Sequence, residues 1–135
     1  MTTEEMMAHA AGCMRRGEFE GGDIEAINNL LACGHGPRLV SKAVQPRDYD
    51  CANSVMTSLE ALAEKNLASA LNLMIDLIPI ADELYAHDIY DSIHLWVCYN
   101  ECADFVNYLN RRIGIEQDPE RRNVLLRIKE SYFAD

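Results

Sequence analysis

Positive charge is missing from one third of this chain. Between Asn66 and Asn110, a stretch of 45 residues, there is no Lys or Arg, yet seven carboxylates stand there: Asp76, Asp82, Glu83, Asp88, Asp91, Glu101 and Asp104. The full 135 residues carry 12 basic side chains against 22 acidic ones, a formal net charge of -10 and a sequence pI near 4.7. Phosphate recognition draws on clustered Lys and Arg, so this balance argues against direct binding of nucleic acid or of an anionic membrane surface.

Other absences narrow the class further. No apolar run approaches the ~20 residues of a membrane span. The first ten residues, Met1 to Ala10, place acids where a secretory signal needs a basic start and an apolar run, so a cytoplasmic location is expected. No period-two alternation is long enough for a strand, and neither a low-complexity tract nor a repeat of solenoid length is present. The five cysteines (Cys13, Cys33, Cys51, Cys98, Cys102) are odd in number and lack Cys-x-x-Cys spacing, which reads as reduced thiols packed in a core. There is no Gly-x-Ser-x-Gly elbow for a nucleophile, and Gly34-x-Gly36 is too short for a phosphate loop and lacks a following Gly-Lys-Ser/Thr.

What is present reads as helix. Thr2 and Glu5 form a capping box that opens a helix over about Thr3 to Arg16, stopped by Gly17. Asp23 caps a second with Ile24, Ile27, Leu30 and Leu31 inward and Gly34 at its end. A short third runs from Pro37 to about Val44, closed by Pro46. Asp48 or Asp50 opens a fourth to about Lys65, with Val55, Met56, Leu59, Leu62 and Ala63 at spacings of three and four. From Asn66 the segment Leu67 to Ile78 is apolar on most sides and so belongs at the centre; Pro79 kinks or restarts it before it ends near Ala86. Asp88 to Arg112 reads as one helix of about 24 residues, with Leu95, Cys98, Cys102, Phe105, Val106, Leu109 and Ile113 inward and Gly114 as its stop. Asp118-Pro119 caps the last helix, whose stripe is Val124, Leu125, Ile128 and Tyr132. The expected architecture is all-α: residues 1–135 as a single compact, irregular bundle of six or seven helices, large enough to bury roughly two-thirds of its unfolded surface.

Two constellations could carry chemistry. His87, Asp91, His94 and Cys98 fall on one helical stripe, and Asp91-x-x-His94 is the spacing by which bundles offer a carboxylate and an imidazole to a metal pair. No second such motif exists, so metal binding through His87, Asp91 and His94 is an alternative reading only; no cofactor and no catalytic residue are expected. The other constellation is the acidic stretch, which also holds four of the six tyrosines. Asp82, Glu83, Tyr85, Asp88, Tyr90, Asp91, Glu101 and Asp104 can be presented in a row on adjoining helices, complementary to a groove that takes a phosphate backbone. The basic side chains gather elsewhere: half lie within the last 25 residues, where they can complement helix ends or pair with Glu116, Glu120 and Glu130. The expected function is that of a non-enzymatic acidic protein that inhibits or neutralises a basic protein or nucleic-acid-binding complex. In size and charge it is comparable to immunity proteins and anti-defence inhibitors. A homodimeric structural or adaptor subunit is the remaining alternative.

Overall fold

A computed structural model describes residues 1–134, and among them it contains eight helices and no strand. The helices are α1 (Thr3–Arg16), α2 (Gly21–Ala32), α3 (Gly36–Ala43), α4 (Tyr49–Ala63), α5 (Leu67–Glu83), α6 (His87–Tyr99), α7 (Phe105–Ile115) and α8 (Pro119–Tyr132). The all-α expectation holds, with one helix more than the upper count.

Side-chain caps set half of the eight starts. Thr2 and Glu5 close the capping box of α1, Asp48 Oδ1 accepts the Cys51 amide, Asn66 Oδ1 the Ser69 amide and Asp118 Oδ1 the Glu120 amide. At α2 the start lies earlier than the sequence suggests. Helix begins at Gly21, and Asp23 sits inside the first turn, where its Oδ2 accepts the Glu20 amide at 2.9 Å.

Helix α5 is the axis of the bundle, packing against α2, α3, α4, α6, α7 and α8. Its buried residues run almost without interruption from Ser69 to Ala81, which is why its sequence is apolar on nearly every side. Pro79 neither ends nor restarts it; the helix passes through to Glu83. Helix α1 packs on α2, α3 and α4 at the other side of the core. No helix among the described residues is long and apolar enough to cross a membrane.

The largest departure from expectation is the segment read as one helix from Asp88 to Arg112. It is two, α6 and α7, separated by a turn at Asn100 to Asp104. The turn is a Schellman motif: the Cys102 amide donates to the Val97 carbonyl at 3.0 Å and the Glu101 amide to the Cys98 carbonyl at 3.3 Å. Breaking the helix resets its phase. Ile89, Tyr90, Ile93 and Val97 now face inward on α6, while Leu95 and Cys98, expected inside, are exposed. Downstream the expected stripe is correct at Phe105, Leu109 and Ile113. Gly114 does not stop α7, which continues to Ile115. Of the five cysteines only Cys13 is buried; Cys51 and Cys102 are half-buried, Cys33 and Cys98 exposed, and all five are free thiols.

Candidate functional site

The acidic stretch divides into a buried part, a paired part and a free part. Asp76 is in the core, 1% exposed. Its Oδ1 forms an ion pair with Arg112 of α7, yet neither oxygen accepts a well-formed hydrogen bond. Burial pushes its pKa up to about 6, and the Arg112 guanidinium offsets only part of that shift. Gly36 leaves the space the carboxylate occupies, since a Cβ there would clash with Asp76 Oδ2. A cleft bounded by Gly34, Gly36, Asn72, Arg112 and Glu116 opens beside this pair.

Asp82 and Glu83, at the end of α5, are neutralised by distant cations. Asp82 pairs with Arg127 of α8 and accepts the Tyr90 hydroxyl at 3.0 Å, while Glu83 pairs with Arg47. Two of the C-terminal basic residues, Arg112 and Arg127, therefore reach acids of α5 rather than Glu116, Glu120 or Glu130; Arg121 does lie 3.6 Å from Glu116. Tyr90, expected in the outward row, is only 3% exposed. It packs inward because it falls on the same side of α6 as Ile93 and Val97, and burial together with the Asp82 carboxylate drives its hydroxyl pKa well above the ordinary range.

The free part lies on α6 and the turns that bracket it. Asp88, Asp91, Leu95 and Tyr99 recur at three- and four-residue steps, so all four fall on one outward stripe. Glu101 and Asp104 follow in the turn to α7, and Tyr85 precedes it in the turn from α5. Among the described residues, none of Asp88, Asp91, Glu101 and Asp104 stands in an ion pair. Two of them meet hydroxyls: Tyr49 donates to Asp88 at 3.3 Å, and Asp91 lies beside Tyr132, whose pKa rises through burial and through that carboxylate. Between the acids stand large exposed side chains, Tyr85 at 85%, Leu95 at 61% and Tyr99 at 90%. Tyr85 and Glu101 also share a backbone feature: each has φ of +52°, the left-handed region. Both occupy the position after a helix end where glycine is usual, as Gly34 shows after α2 with φ of +78°. A non-glycine residue there costs roughly 1–2 kcal/mol.

The metal alternative fares differently. The ligand atoms of His87, Asp91 and His94 do not converge. His94 instead packs between Tyr132 and Phe133, with ring centroids at 5.7 and 5.2 Å, and meets only the Cys98 thiol at 3.6 Å; His87 stands edge-on to Tyr90. Among the described residues a His, Cys and carboxylate set comes together once, at His9, Cys13 and Asp23. Reading the sequence alone misses this set, although the His9-x-x-x-Cys13 spacing was there to be seen; Asp23 joins it only because α2 folds back on α1. Burial, then the Asp23 carboxylate, pushes the Cys13 thiol up, so it lacks the stabilised thiolate of an activated nucleophile. Asp23 is held ionised, first by the Glu20 amide and then by His9.

No protein-family model, curated protein or solved structure matches this chain.

Proposed function

We propose that this chain is a non-enzymatic binding protein, acting in the cytoplasm, that covers the positive surface of a basic, nucleic-acid-handling partner and thereby inhibits it. The observation that carries the reading is the outward stripe of α6. There Asp88 and Asp91, without a cation, alternate with the exposed Leu95 and Tyr99, and the turns on either side of α6 add the exposed Tyr85 and the unpaired Glu101 and Asp104. Charge fixed on a helix steers a basic surface into register, and exposed aromatic side chains supply contact area at modest entropic loss. Left-handed backbone at Tyr85 and Glu101, in the turns that bracket α6, adds to the argument, because such strain concentrates at functional surfaces. Self-association through Leu95 and Tyr99 is the weaker reading, since a two-fold contact would bring the same unpaired carboxylates of two copies together.

The test compares the tagged protein with the variant Asp88→Asn, Asp91→Asn, Glu101→Gln, Asp104→Asn in capture from bacterial lysate, with bound proteins identified by mass spectrometry. The reading expects basic nucleic-acid-binding proteins retained by the native chain at low salt, shed as salt rises, and missing from the variant. Equal retention by the variant, or retention insensitive to salt, overturns it.

A further inference from the structure

We propose that His9, Cys13 and Asp23 form a binding site for one zinc-class divalent ion, at a place remote in sequence from the α6 face and independent of it. His9 and Cys13 lie one turn apart on α1, and Asp23 comes from the first turn of α2. The nitrogen, sulfur and oxygen atoms all lie within 4.8 Å of one another. Sulfur, imidazole and carboxylate are the ligand types that zinc takes, and three protein ligands leave a fourth position for water.

The geometry distinguishes this set from a catalytic relay. In a relay the acid and the nucleophile engage opposite ring nitrogens of the histidine. Here both fall on the same one: His9 Nε2 is 2.5 Å from Asp23 Oδ1 and 3.8 Å from Cys13 Sγ. Two ligands crowded on one nitrogen describe convergence on a point. For Zn–N near ~2.0 Å and Zn–S near ~2.3 Å in a tetrahedron, the N–S edge is about 3.5 Å and the N–O edge about 3.3 Å. The sulfur is close to its required place, and the imidazole has to withdraw from Asp23 by less than ~1 Å. It is free to do so, because its side chain is 49% exposed.

The surroundings hold the other two ligands in place. Asp23 Oδ2 accepts the Glu20 amide at 2.9 Å, which fixes the carboxylate and leaves Oδ1 directed at His9. Cys13 is fully buried on α1, which holds its sulfur in place, and Arg16 Nη2 lies 3.7 Å from that sulfur. On binding, the thiol proton leaves to solvent and the charges of thiolate and carboxylate balance the ion.

The experiment is a cobalt(II) titration of the purified full chain under reducing conditions, read by absorbance. The proposal expects one equivalent of tetrahedral cobalt with a sulfur-to-metal charge-transfer band, displaced by zinc. Cys13→Ser removes that band. His9→Gln, at an exposed position where folding is undisturbed, weakens binding by about 100-fold, since even outer partners of a metal site are worth about 10- to 100-fold. Far-ultraviolet circular dichroism of each variant confirms its helix content. Absence of the sulfur band in the native chain, its persistence in Cys13→Ser, or its loss in Cys98→Ser or His94→Gln instead overturns the proposal.

Discussion

Asp76 is a carboxyl group folded into an environment that prefers it protonated. Its pKa rises from an ordinary 3.8 to about 6 because burial removes water and Arg112 restores only part of the lost stabilisation. The folded chain therefore binds this proton more tightly than the unfolded chain does. The contribution of that proton to stability is fully present below about pH 4 and is lost as pH rises through about 6, a difference of about 3 kcal/mol at ~1.4 kcal/mol per pKa unit. Asp76→Asn carries no such titration. Between pH 4 and pH 7 the stability of the variant should gain about 2 kcal/mol relative to the native chain, measured by urea unfolding of both proteins at each pH. Other carboxylates, including Asp23 with its lowered pKa, titrate in both proteins and cancel in the comparison. The sequence shows Asp76 only as one more acid in an acidic stretch, because its burial depends on α3 and α7 closing over α5.

At the scale of the element, the ends of α5 and α6 show how helix termination was partly hidden. Glycine announces the ends of α1 and α2, at Gly17 and Gly34, both with positive φ, and the sequence reading places both stops correctly. The ends of α5 and α6 use the same hydrogen-bond pattern as the end of α2, without glycine. Ala86 donates to the Ala81 carbonyl at 2.9 Å and Cys102 to the Val97 carbonyl at 3.0 Å, while Tyr85 and Glu101 take the left-handed position. With no glycine or proline from Tyr99 to Asp104, the break between α6 and α7 had no strong local marker. Tyr85→Gly and Glu101→Gly should each stabilise the fold by about 0.5–1 kcal/mol, since relief of ~1–2 kcal/mol exceeds the added entropy of an unfolded glycine. Thermal or urea unfolding measures this gain. If the α6 face is the contact surface, the same substitutions weaken partner binding, so stability and binding move in opposite directions.

For the molecule as a whole, charge sets a background that individual pairs do not cancel. At a net -10 the folded chain repels itself, and screening should relieve that repulsion. Raising salt to about 0.15 M, where the Debye length is about 8 Å, should stabilise the native chain by about 1 kcal/mol, a Tm increase of about 3–5 °C for this size. Replacing Asp88, Asp91, Glu101 and Asp104 by their amides takes the net charge from -10 to -6 and should shrink that increase, as followed by calorimetry. The native chain's own cations do not spread evenly over this charge. Arg47, Arg112 and Arg127 are committed to Glu83, Asp76 and Asp82, which leaves Asp88, Asp91, Glu101 and Asp104 as the acids of the Asn66 to Asn110 stretch without a cation.

The helical class, most helix starts, the glycine-marked stops and the central place of Leu67 to Ile78 are written in the order of the residues alone. Those features follow from interactions that reach one turn along the chain: a cap, a left-handed glycine, an apolar residue every third or fourth position. Which carboxylates are buried, paired or free, where the Asp88 to Arg112 segment breaks, and that Asp23 meets His9 and Cys13 become visible once the helices are packed. Each of these depends on which helix lies across from which. Asp82 and Arg127 are 45 residues apart, and nothing local in either one specifies that they meet.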